Sequence, residues 1–566
     1  MHYKSRWNIT IPNVHLATLL FKSPTHPLSK AHRCFIDVAR PDTHYLTTHE
    51  FRLWCQRFAV GLRKSGIQSG DRILVFSNNQ LFSPVLFIGA VLAGAIYTGS
   101  NPGFGSSELA QHVINSGATY IICEESLLDT AIDGAELAGV GEDHIFIFDS
   151  HLYEQDASPD QYVYRRRNGR QTLCRYWGEL IAHSEEGSKF VWEDFSTPEL
   201  CNRTIALNYS SGTSGTPKGV EITHKNCVAN VLQWVYPYYL NPDFEDRLIR
   251  TRWLCCLPMY HSIGQNIFIA AALQLRIPVY IMPRFNFLNM LEYTERFRIT
   301  DLLLVAPIVV QLAKDPESKS GKYDLSSVEA IRSGAAPLSR EVSEEAEALW
   351  KGRVNIKQGW GMTETTCSLM GWDSRDWSST ASVGELNPNC EAKIMAEDGM
   401  TELGYNQCGE LWVRGQNVMK GYWNNPKATS DIKTSDGWLK TGDIVYIDNG
   451  HRFYIVDRKK ELIKVHGRQV APAELEALLL EHPAIAEVAV IGISIGDHER
   501  PRAYVVRQAG EKLSEEDIVS FLNTKVSIHK RITGGVIFCT SIPKNSSGKI
   551  LRKALRTLAQ KELEDM

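Results

Sequence analysis

A glycine-rich loop at residues 210–219 constrains the fold more than any other feature of the sequence. It reads Ser-Ser-Gly-Thr-Ser-Gly-Thr-Pro-Lys-Gly and follows an apolar run at 205–209 that is typical of a β-strand. Glycines let the backbone turn tightly and bring N–H groups close to a phosphate, while the hydroxyl groups and Lys218 add donors and a positive charge. The loop therefore predicts a phosphate-binding turn after a strand.

Two other interpretations of this loop fit less well. The P-loop of kinases and GTPases requires Gly-Lys-Ser or Gly-Lys-Thr, but here Pro217 precedes Lys218 and Gly219 follows it. A flexible linker of serine and glycine would need neither the lysine nor a strand before it. Phosphate binding of a different kind is the remaining prediction.

The length of the chain predicts two or more domains, since 566 residues exceed what one hydrophobic core usually supports. Strand-like runs at 72–77, 119–123, 144–148 and 205–209 alternate with helical patterns such as 83–95. This alternation is typical of an α/β fold with helix-covered, mainly parallel sheets. The polar stretch at about 151–200 has little periodicity, and we expect a surface excursion there.

A different pattern begins near residue 457 and predicts a small α+β domain. A helix is expected from Pro472, strands at 488–493 and 502–506, and a second helix after Ser514, which forms a capping box with Asp517. We therefore expect an N-terminal domain of residues 1–456 and a C-terminal domain of residues 457–566.

Composition narrows the class of protein. The net charge of −4 gives no sign of nucleic-acid binding, and twelve cysteines without a Cys-x-x-Cys pair indicate reduced thiols rather than a zinc site. The N-terminus lacks a signal-peptide pattern, and no apolar run is long enough to span a bilayer. We expect a cytoplasmic protein, with a peroxisomal location left open although the C-terminus is not of the Ser-Lys-Leu type.

Six more segments follow the loop in order: Leu-Pro-Met-Tyr-His-Ser at 257–262, Ser-Gly-Ala-Ala-Pro-Leu at 333–338, Gln-Gly-Trp-Gly-Met-Thr-Glu-Thr at 358–365, Gly-Trp-Leu-Lys-Thr-Gly-Asp at 437–443, Asp-Arg-Lys-Lys-Glu-Leu-Ile-Lys at 457–464 and Pro-Lys-Asn-Ser-Ser-Gly-Lys at 543–549. Together with the loop they resemble the signatures of the adenylate-forming superfamily, in particular its acyl-CoA synthetase and 4-coumarate:CoA ligase-like branch. The resemblance extends over nearly the whole chain.

The resemblance implies a ligase that uses ATP and Mg²⁺ to convert a carboxylic acid to acyl-AMP and then transfers the acyl group to coenzyme A. Its C-terminal domain would be mobile, with a hinge near Lys460. Two alternatives stay open: transfer to the phosphopantetheine thiol of a carrier protein, and a catalytically silent nucleotide-binding homologue. The joint presence of Lys218, Glu364, Asp443, Arg458 and Lys549 speaks against the silent homologue.

The resemblance also implies roles for individual residues. Lys549 would neutralise the carboxylate and the phosphate as they meet, Glu364 would bind Mg²⁺, and Lys464 would approach the AMP phosphate in another orientation of the domain. Trp360 replaces the usual tyrosine that packs on adenine. The residues expected to bind ATP or AMP are Ser210, Ser211, Gly212, Thr213, Ser214, Gly215, Thr216, Lys218, Ala335, Gln358, Gly359, Trp360, Thr363, Asp443, Arg458 and Gln469.

The acid-binding residues implied by the resemblance are Ile263, Ser333, Gly334, Cys367 and Ser368, with His261 at the mouth of the pocket and His466 and Gly467 on the coenzyme A side. Ile263 stands where phenylpropanoid ligases commonly have tyrosine, and Cys367 and Ser368 stand near their usual Pro-Val pair. The loss of an aromatic wall weakens a hydroxycinnamate prediction and leaves aliphatic or simple aryl acids.

Overall fold

The computed structural model describes residues 1–23, 25–150, 162–167, 169, 171–195, 197–210, 217–465, 468–495, 498–545 and 548–564. The strands in these ranges are β1 (His2–Lys4), β2 (Arg33–Asp37), β3 (Tyr45–Thr47), β4 (Arg72–Phe76), β5 (Ile96–Ser100), β6 (Ala118–Glu124), β7 (Ile145–Phe148), β8 (Tyr162–Arg165), β9 (Gln171–Tyr176), β10 (Thr204–Ser210), β11 (Lys218–Thr223), β12 (Trp253–Cys255), β13 (Val279–Ile281), β14 (Asp301–Val305), β15 (Ala330–Gly334), β16 (Ile356–Gln358), β17 (Met370–Gly371), β18 (Glu385–Leu386), β19 (Glu391–Met395), β20 (Gly409–Arg414), β21 (Gly421–Tyr422), β22 (Leu439–Ile447), β23 (Phe453–Arg458), β24 (Ile463–Val465), β25 (Arg468–Val470), β26 (Ile485–Ile495), β27 (His498–Arg507) and β28 (Val536–Phe538).

Helices cover the sheets and are mostly short. They are α1 (Leu16–Phe21), α2 (Thr48–Lys64), α3 (Ser83–Ala93), α4 (Ser106–Ser116), α5 (Leu128–Ala138), α6 (Ser184–Ser188), α7 (Pro198–Cys201), α8 (His224–Tyr239), α9 (Phe244–Arg250), α10 (Ala272–Leu275), α11 (Phe287–Arg296), α12 (Ala306–Lys314), α13 (Pro316–Lys319), α14 (Arg340–Glu347), α15 (Pro426–Ile432), α16 (Pro472–Leu480), α17 (Glu515–Asn523) and α18 (Arg552–Glu564). A π-helix, Gly264–Ala271, precedes α10. In the described part of the chain, no helix is long and apolar enough to cross a membrane.

Two large sheets are mainly parallel, which confirms the predicted α/β class. The first has the strand order β21-β11-β10-β5-β4-β6-β7-β9-β8, and the second β16-β15-β14-β12-β13-β2-β3. The strands from β10 to β9 in the first and from β16 to β2 in the second are paired in parallel. Such pairs need crossover connections, which the helices provide. α3 is buried on nearly every side, which explains why its sequence is apolar throughout.

A third sheet, β1-β19-β20-β22-β23, is antiparallel; the N-terminal strand β1 pairs with β19 at one edge, and β23 forms the opposite edge. One continuous buried core joins the three sheets and includes residues from Tyr3 to Phe453. The stretch predicted as a surface excursion differs from expectation, because β9 joins β7 and pairs with β8, so the pair extends the first sheet. Residues 151–161 of that stretch lie outside the described residues.

The segment after Arg458, which we call the C-terminal segment, has its own buried clusters around β26, β27 and β28. α16 begins at Pro472 as expected, and Ser514 caps α17 through the predicted box with Asp517. The predicted boundary between residues 456 and 457 stays a prediction; β23 ends two residues beyond it, at Arg458.

Candidate active site

The glycine loop connects two antiparallel strands. β10 ends at Ser210 and β11 begins at Lys218, and these two residues are register partners. The Oγ atom of Ser210 is buried and has no hydrogen-bond partner within the described residues, so a donor is available beside the loop. The predicted ligands Ser211, Gly212, Thr213, Ser214, Gly215 and Thr216 lie outside the described residues.

Lys218 is linked through a tyrosine to the predicted metal ligand. Its ammonium lies 5.0 Å from the ring centroid of Tyr422, and the hydroxyl of Tyr422 donates a 2.8 Å hydrogen bond to Oε1 of Glu364. Tyr422 reaches this position because β21 pairs with β11. Glu364 is 5% exposed, and burial together with this carboxylate raises the pKa of Tyr422, so the phenol stays a proton donor. Thr363 is half-buried in the same short turn.

Trp360 and Asp443 form a hydrogen-bonded pair. The indole N–H of Trp360 donates a 2.8 Å bond to Oδ2 of Asp443, while Nε of Arg458 lies 3.5 Å from Oδ1. Asp443 and Arg458 are register partners on β22 and β23, so the strand pairing itself holds the guanidinium beside the carboxylate. Burial raises the pKa of Asp443, and Arg458 and the indole oppose that rise.

Lys549 reaches the same place from the C-terminal segment. A Cβ atom at Gly548 would lie 3.2 Å from side-chain atoms of Val305 and Pro307, so a larger residue in this loop would crowd the junction of β14 and α12. Burial and Arg458 lower the pKa of Lys549 to about 8, and Asp443 and Glu364 partly offset this effect. Lys549 therefore lies near Asp443, Arg458 and Glu364 although these residues are far apart in the chain.

His261 lies close enough to Lys549 for their charges to interact. Burial, and then Lys549, lower the pKa of His261 to about 4, so its imidazole is neutral at physiological pH. The residue is half-buried at the turn before the π-helix. A neutral ring at this position does not add a second positive charge to the site.

A cleft of about 860 Å³ lies between the sheets and the C-terminal segment. Six of the predicted residues line it: Ala335, Gly359, Trp360, Asp443, Arg458 and Lys549. The far side is formed by charged residues of the C-terminal segment, including Glu461, Glu476, Lys544 and Arg552. The volume falls within the range of small-molecule sites, about 300–1,000 Å³.

Gln358, predicted to bind the nucleotide, has its side chain engaged by the protein. Its Oε1 accepts from the amide of Leu338 at 3.0 Å and its Nε2 donates to the carbonyl of Leu338 at 2.8 Å. These bonds hold the turn that contains Ala335, which has a φ of 70°. The side chain therefore shapes the wall of the cleft rather than pointing freely into it.

None of the residues predicted to surround the acid is on the lining of the cleft. Ser333 is buried, its Oγ has no partner within the described residues, and its carbonyl accepts from the amide of Gly359 at 2.8 Å. Gly334 ends β15 beside it. Cys367 and Ser368 are half-buried, with Ser368 hydrogen-bonded to Asn230 of α8. Ile263 immediately precedes the π-helix and packs against the core.

Three other predicted residues do not reach the cleft. Lys464 and Gln469 are exposed register partners on the two-stranded sheet β24-β25, and Lys460 is exposed in the turn after β23. The amide of Lys464 donates to Glu499 at 2.6 Å, within the C-terminal segment. His466 and Gly467 lie outside the described residues.

Sequence reasoning missed several residues that organise this region. Tyr422 was not singled out, and neither was Lys314, whose ammonium donates to the carbonyls of Leu480, His482 and Ile485 in the C-terminal segment. Asp457 was treated as part of a motif, but its carboxylate also accepts from the amide of Ala473 and so caps α16. The hydrogen bond from Trp360 to Asp443 was not predicted either. The signal for it was that a buried indole N–H usually needs an acceptor.

Known proteins resemble this chain in both sequence and fold. A family model described as AMP-binding enzyme matches residues 27–423, and one described as AMP-binding enzyme C-terminal domain matches residues 474–549. A phenylacetyl-CoA ligase of Aspergillus niger is 33% identical over 100% of both chains. An acyl-CoA synthetase of Alternaria alternata is 36% identical over 90% of this chain and 84% of its own, and 4-coumarate–CoA ligase 1 of Arabidopsis thaliana is 36% identical over 97% and 93%.

Solved structures support the fold. ATP-bound MatB from Rhodopseudomonas palustris superposes with a TM-score of 0.78 at 25% identity, covering 96% of this chain and 98% of that one. An anthranilate CoA ligase in complex with anthranoyl-AMP gives a TM-score of 0.82 at 20% identity, covering 97% and 98%. Since the first family model spans more than half of the chain, and the relatives exceed 30% identity over most of it, the chain belongs to the AMP-binding enzyme family, the adenylate-forming enzymes whose motifs it carries.

Proposed function

We propose that the protein is an ATP-dependent acid–thiol ligase that forms acyl-AMP from a carboxylic acid and transfers the acyl group to coenzyme A. The main supporting observation is that Lys549, Asp443 and Arg458, from distant parts of the chain, line one cleft, with Glu364 close enough to act on the charge of Lys549. The relatives named as CoA ligases support the same reaction.

In the first half-reaction the substrate carboxylate attacks the α-phosphorus of ATP, and pyrophosphate leaves. Both reactants are anions, so the protein must offset their negative charges and align them. It contributes little covalent chemistry. We assign the neutralising role to the Lys549 ammonium. Asp443 would accept hydrogen bonds from the ribose hydroxyls, with Arg458 beside it, and Trp360 would fix the orientation of its carboxylate.

The phosphates would be held by the glycine loop, Lys218 and Thr363. Glu364 fits as a ligand for Mg²⁺, because Tyr422 donates to one carboxylate oxygen only and the other accepts no hydrogen bond from the described residues. No group of three potential metal ligands occurs in the described part of the chain, so the remaining ligands would be phosphate oxygens and water, as Mg²⁺ commonly has. When bound, the ion would neutralise negative charge on the phosphates.

In the second half-reaction the thiol of coenzyme A attacks the acyl carbon, the carbon–oxygen bond to AMP breaks, and AMP leaves. Lys549 lies at the cleft while Lys464 and Gln469 face outward, so the arrangement described here suits the first half-reaction. We propose that rotation near Lys460 removes Lys549 and brings Lys464 and Gln469 to the phosphate. His466 and Gly467 would then lie towards coenzyme A.

The function is tested by ATP–pyrophosphate exchange across a panel of aliphatic and aryl acids. We expect acid-dependent exchange with the purified chain, followed by formation of a thioester, detected by mass, when coenzyme A is added. Thioester formation with a phosphopantetheinylated carrier protein but not with free coenzyme A would redirect the second step to that acceptor.

Two lysine variants control this experiment. Lys549→Ala removes a preorganised cation and should lower exchange by about 10²–10³-fold. Lys512→Ala alters an exposed lysine of the same segment and should leave exchange at the wild-type rate. Exchange by the Lys549→Ala variant close to the wild-type rate would overturn the assignment of Lys549, and absence of exchange with every acid would overturn the proposed function.

A further inference from the structure

A tyrosine on a short strand contacts both of the charged side chains that are expected to bind the phosphates and their metal ion. Tyr422 is buried, with 8% of its surface exposed. Its hydroxyl donates a 2.8 Å hydrogen bond to Oε1 of Glu364, and the ammonium of Lys218 lies 5.0 Å from the centroid of its ring. A cation within about 6 Å of a ring centroid is attracted by the ring. One side chain therefore connects two groups that are far apart in the sequence.

The pairing of β21 with β11 places Tyr422 beside Lys218. In this antiparallel pair, Tyr422 is the register partner of Val220. Side chains alternate between the faces of a strand, so Lys218, two residues before Val220, points to the same face as Tyr422. Diagonal neighbours of this kind are within reach of aromatic and long side chains. The contact between the ring and the ammonium thus follows from the register of the two strands.

Backbone hydrogen bonds fix the segment that carries Tyr422 to both of its neighbours. The amide of Met419 donates to the carbonyl of Glu364 at 2.9 Å, before the tyrosine in the chain. The amide of Trp423 donates to the carbonyl of Gly219 at 2.8 Å, directly after it. The main chain is therefore held on one side to the turn of Glu364 and on the other to the strand that begins with the loop lysine. The side chain of Tyr422 starts from a fixed point between them.

The two contacts keep a carboxylate and an ammonium available for different ligands. Lys218 and Glu364 each contact Tyr422 instead of forming an ion pair with each other. A direct ion pair would occupy the cation that the phosphates need and the carboxylate that the metal needs. A hydrogen bond to one carboxylate oxygen also orients the other, and the loss of such a partner of a metal ligand typically lowers metal affinity by about 10–100-fold.

We propose that Tyr422 is a positioning residue for both groups: its hydroxyl orients Glu364 for the metal ion, and its ring holds the ammonium of Lys218 for the phosphates. The hydroxyl and the ring are different parts of one side chain, so substitutions can separate the two effects. This inference rests on the proposed function, because it takes Glu364 as a metal ligand and Lys218 as a phosphate-binding residue.

Two binding measurements test the proposal without turnover. The nucleotide is α,β-methylene-ATP, in which the bond broken during adenylation cannot be cleaved, and Mn²⁺ replaces Mg²⁺ because it has an electron paramagnetic resonance signal. Calorimetry in the presence of a chelator gives the affinity for the nucleotide without metal. The resonance signal of free Mn²⁺ gives the metal affinity of the complex of the full-length protein with the nucleotide. Neither measurement requires a carboxylic acid or coenzyme A.

Variants separate the hydroxyl of Tyr422 from its ring. Tyr422→Phe removes only the hydroxyl, so Mn²⁺ affinity should fall by about 10–100-fold while metal-free nucleotide affinity stays at the wild-type value. Tyr422→Leu also removes the ring and should lower metal-free nucleotide affinity by about 2–30-fold, the value of a cation–π contact. Lys218→Met should lower the same affinity by at least as much. Tyr446→Phe, which alters a half-buried tyrosine stacked on Tyr454, should behave as the wild type in both measurements.

The outcomes distinguish this inference from the proposed function. Wild-type Mn²⁺ affinity in Tyr422→Phe, or an equal loss of metal and nucleotide affinity in that variant, would overturn the inference and leave the ligase function standing. Wild-type nucleotide affinity in Tyr422→Leu would overturn the role of the ring, and Tyr422→Met replaces this variant if it does not fold. A wild type that binds nucleotide and Mn²⁺ but adenylates no acid would contradict the ligase function instead.

Discussion

Trp360 stands where the superfamily usually has tyrosine, and its indole N–H binds Oδ2 of Asp443. A ring at this position can pack on adenine whether it is an indole or a phenol. The hydrogen bond gives Trp360 a second role. It holds one carboxylate oxygen of Asp443 while Arg458 lies beside the other, so the orientation of the carboxylate is fixed. The substitution therefore changes how the predicted ribose acceptor is held.

We expect Trp360→Phe to raise KM for ATP by about 10-fold or more, with a smaller effect on kcat. Phenylalanine keeps an aromatic face but loses the donor, and a hydrogen bond to a charged group contributes about 1.5–3 kcal/mol. Initial-rate kinetics at varied ATP measure the effect. Trp412→Phe is the matched control, since the indole nitrogen of Trp412 has no acceptor within the described residues, and an unchanged KM for Trp360→Phe would refute the role of the bond.

The lowered pKa of Lys549, about 8, predicts an alkaline limit to adenylation. The ammonium is the active form, so kcat/KM for ATP should be constant below pH 7 and fall as the pH rises through about 8. His261, with a pKa of about 4, should add no acidic limb between pH 5 and 7. A Lys549→Arg variant should have lower activity but no alkaline limb below pH 10, because arginine stays charged. If the Lys549→Arg variant kept the alkaline limb at the same pH, the limb would belong to a group other than Lys549.

At the scale of elements, Lys314 joins the end of α12 to the C-terminal segment. Its ammonium donates to three backbone carbonyls at and beyond the end of α16, and the Gln508 side chain donates to the Lys314 carbonyl at 3.1 Å. A cation is favoured at a helix C-terminus, where carbonyls lack partners. These bonds stabilise the orientation in which Lys549 lies at the cleft.

Lys314→Met should therefore slow acyl-AMP formation more than thioester formation from supplied acyl-AMP. Loss of the bonds would destabilise the orientation that places Lys549 at the cleft by on the order of 1–3 kcal/mol. Thioester formation, in contrast, requires the C-terminal segment to leave that orientation. The two rates are measured separately, by pyrophosphate exchange and by acyl-CoA production. Lys319→Met, which alters an exposed pair with Glu345, serves as the control, and equal slowing of both rates by Lys314→Met would contradict the role.

The elements were largely predictable from the sequence, and the contacts between them were not. Apolar runs and caps predicted β4, β6, β7, β10 and α16, since those signals are local. Trp360 and Asp443, or Lys314 and Leu480, meet only after sheets and segments pack, and no local periodicity encodes such pairs. The ordered motifs placed Lys549 with Asp443 through resemblance alone.

At the scale of the whole molecule, buried histidines make the fold sensitive to acid. Burial lowers the pKa of His15 and His112 to about 3, and it also lowers the pKa of His224 well below its ordinary value. Their neutral forms are favoured in the folded state, so this stability is present above the unfolded pKa of about 6.5 and is lost as the pH falls towards 3.

The apparent unfolding temperature should therefore fall steadily below about pH 6.5. Each histidine contributes about 1.4 kcal/mol per pH unit in that window. Circular dichroism melts at pH 7.5, 6.5 and 5.5 measure it, and the slope should be shallower in His112→Asn but unchanged in His451→Asn, which alters an exposed histidine. A constant unfolding temperature across these three values would contradict the prediction.

Formation of an acyl-adenylate at the cleft should require Lys549. The most direct measurement is mass detection of acyl-AMP formed from ATP and an accepted acid without coenzyme A, followed by addition of coenzyme A. We expect acyl-AMP and pyrophosphate in the first stage, conversion to acyl-CoA and AMP in the second, and almost no acyl-AMP with Lys549→Ala. Release of ADP and phosphate in place of AMP and pyrophosphate, or undiminished acyl-AMP in the variant, would contradict it.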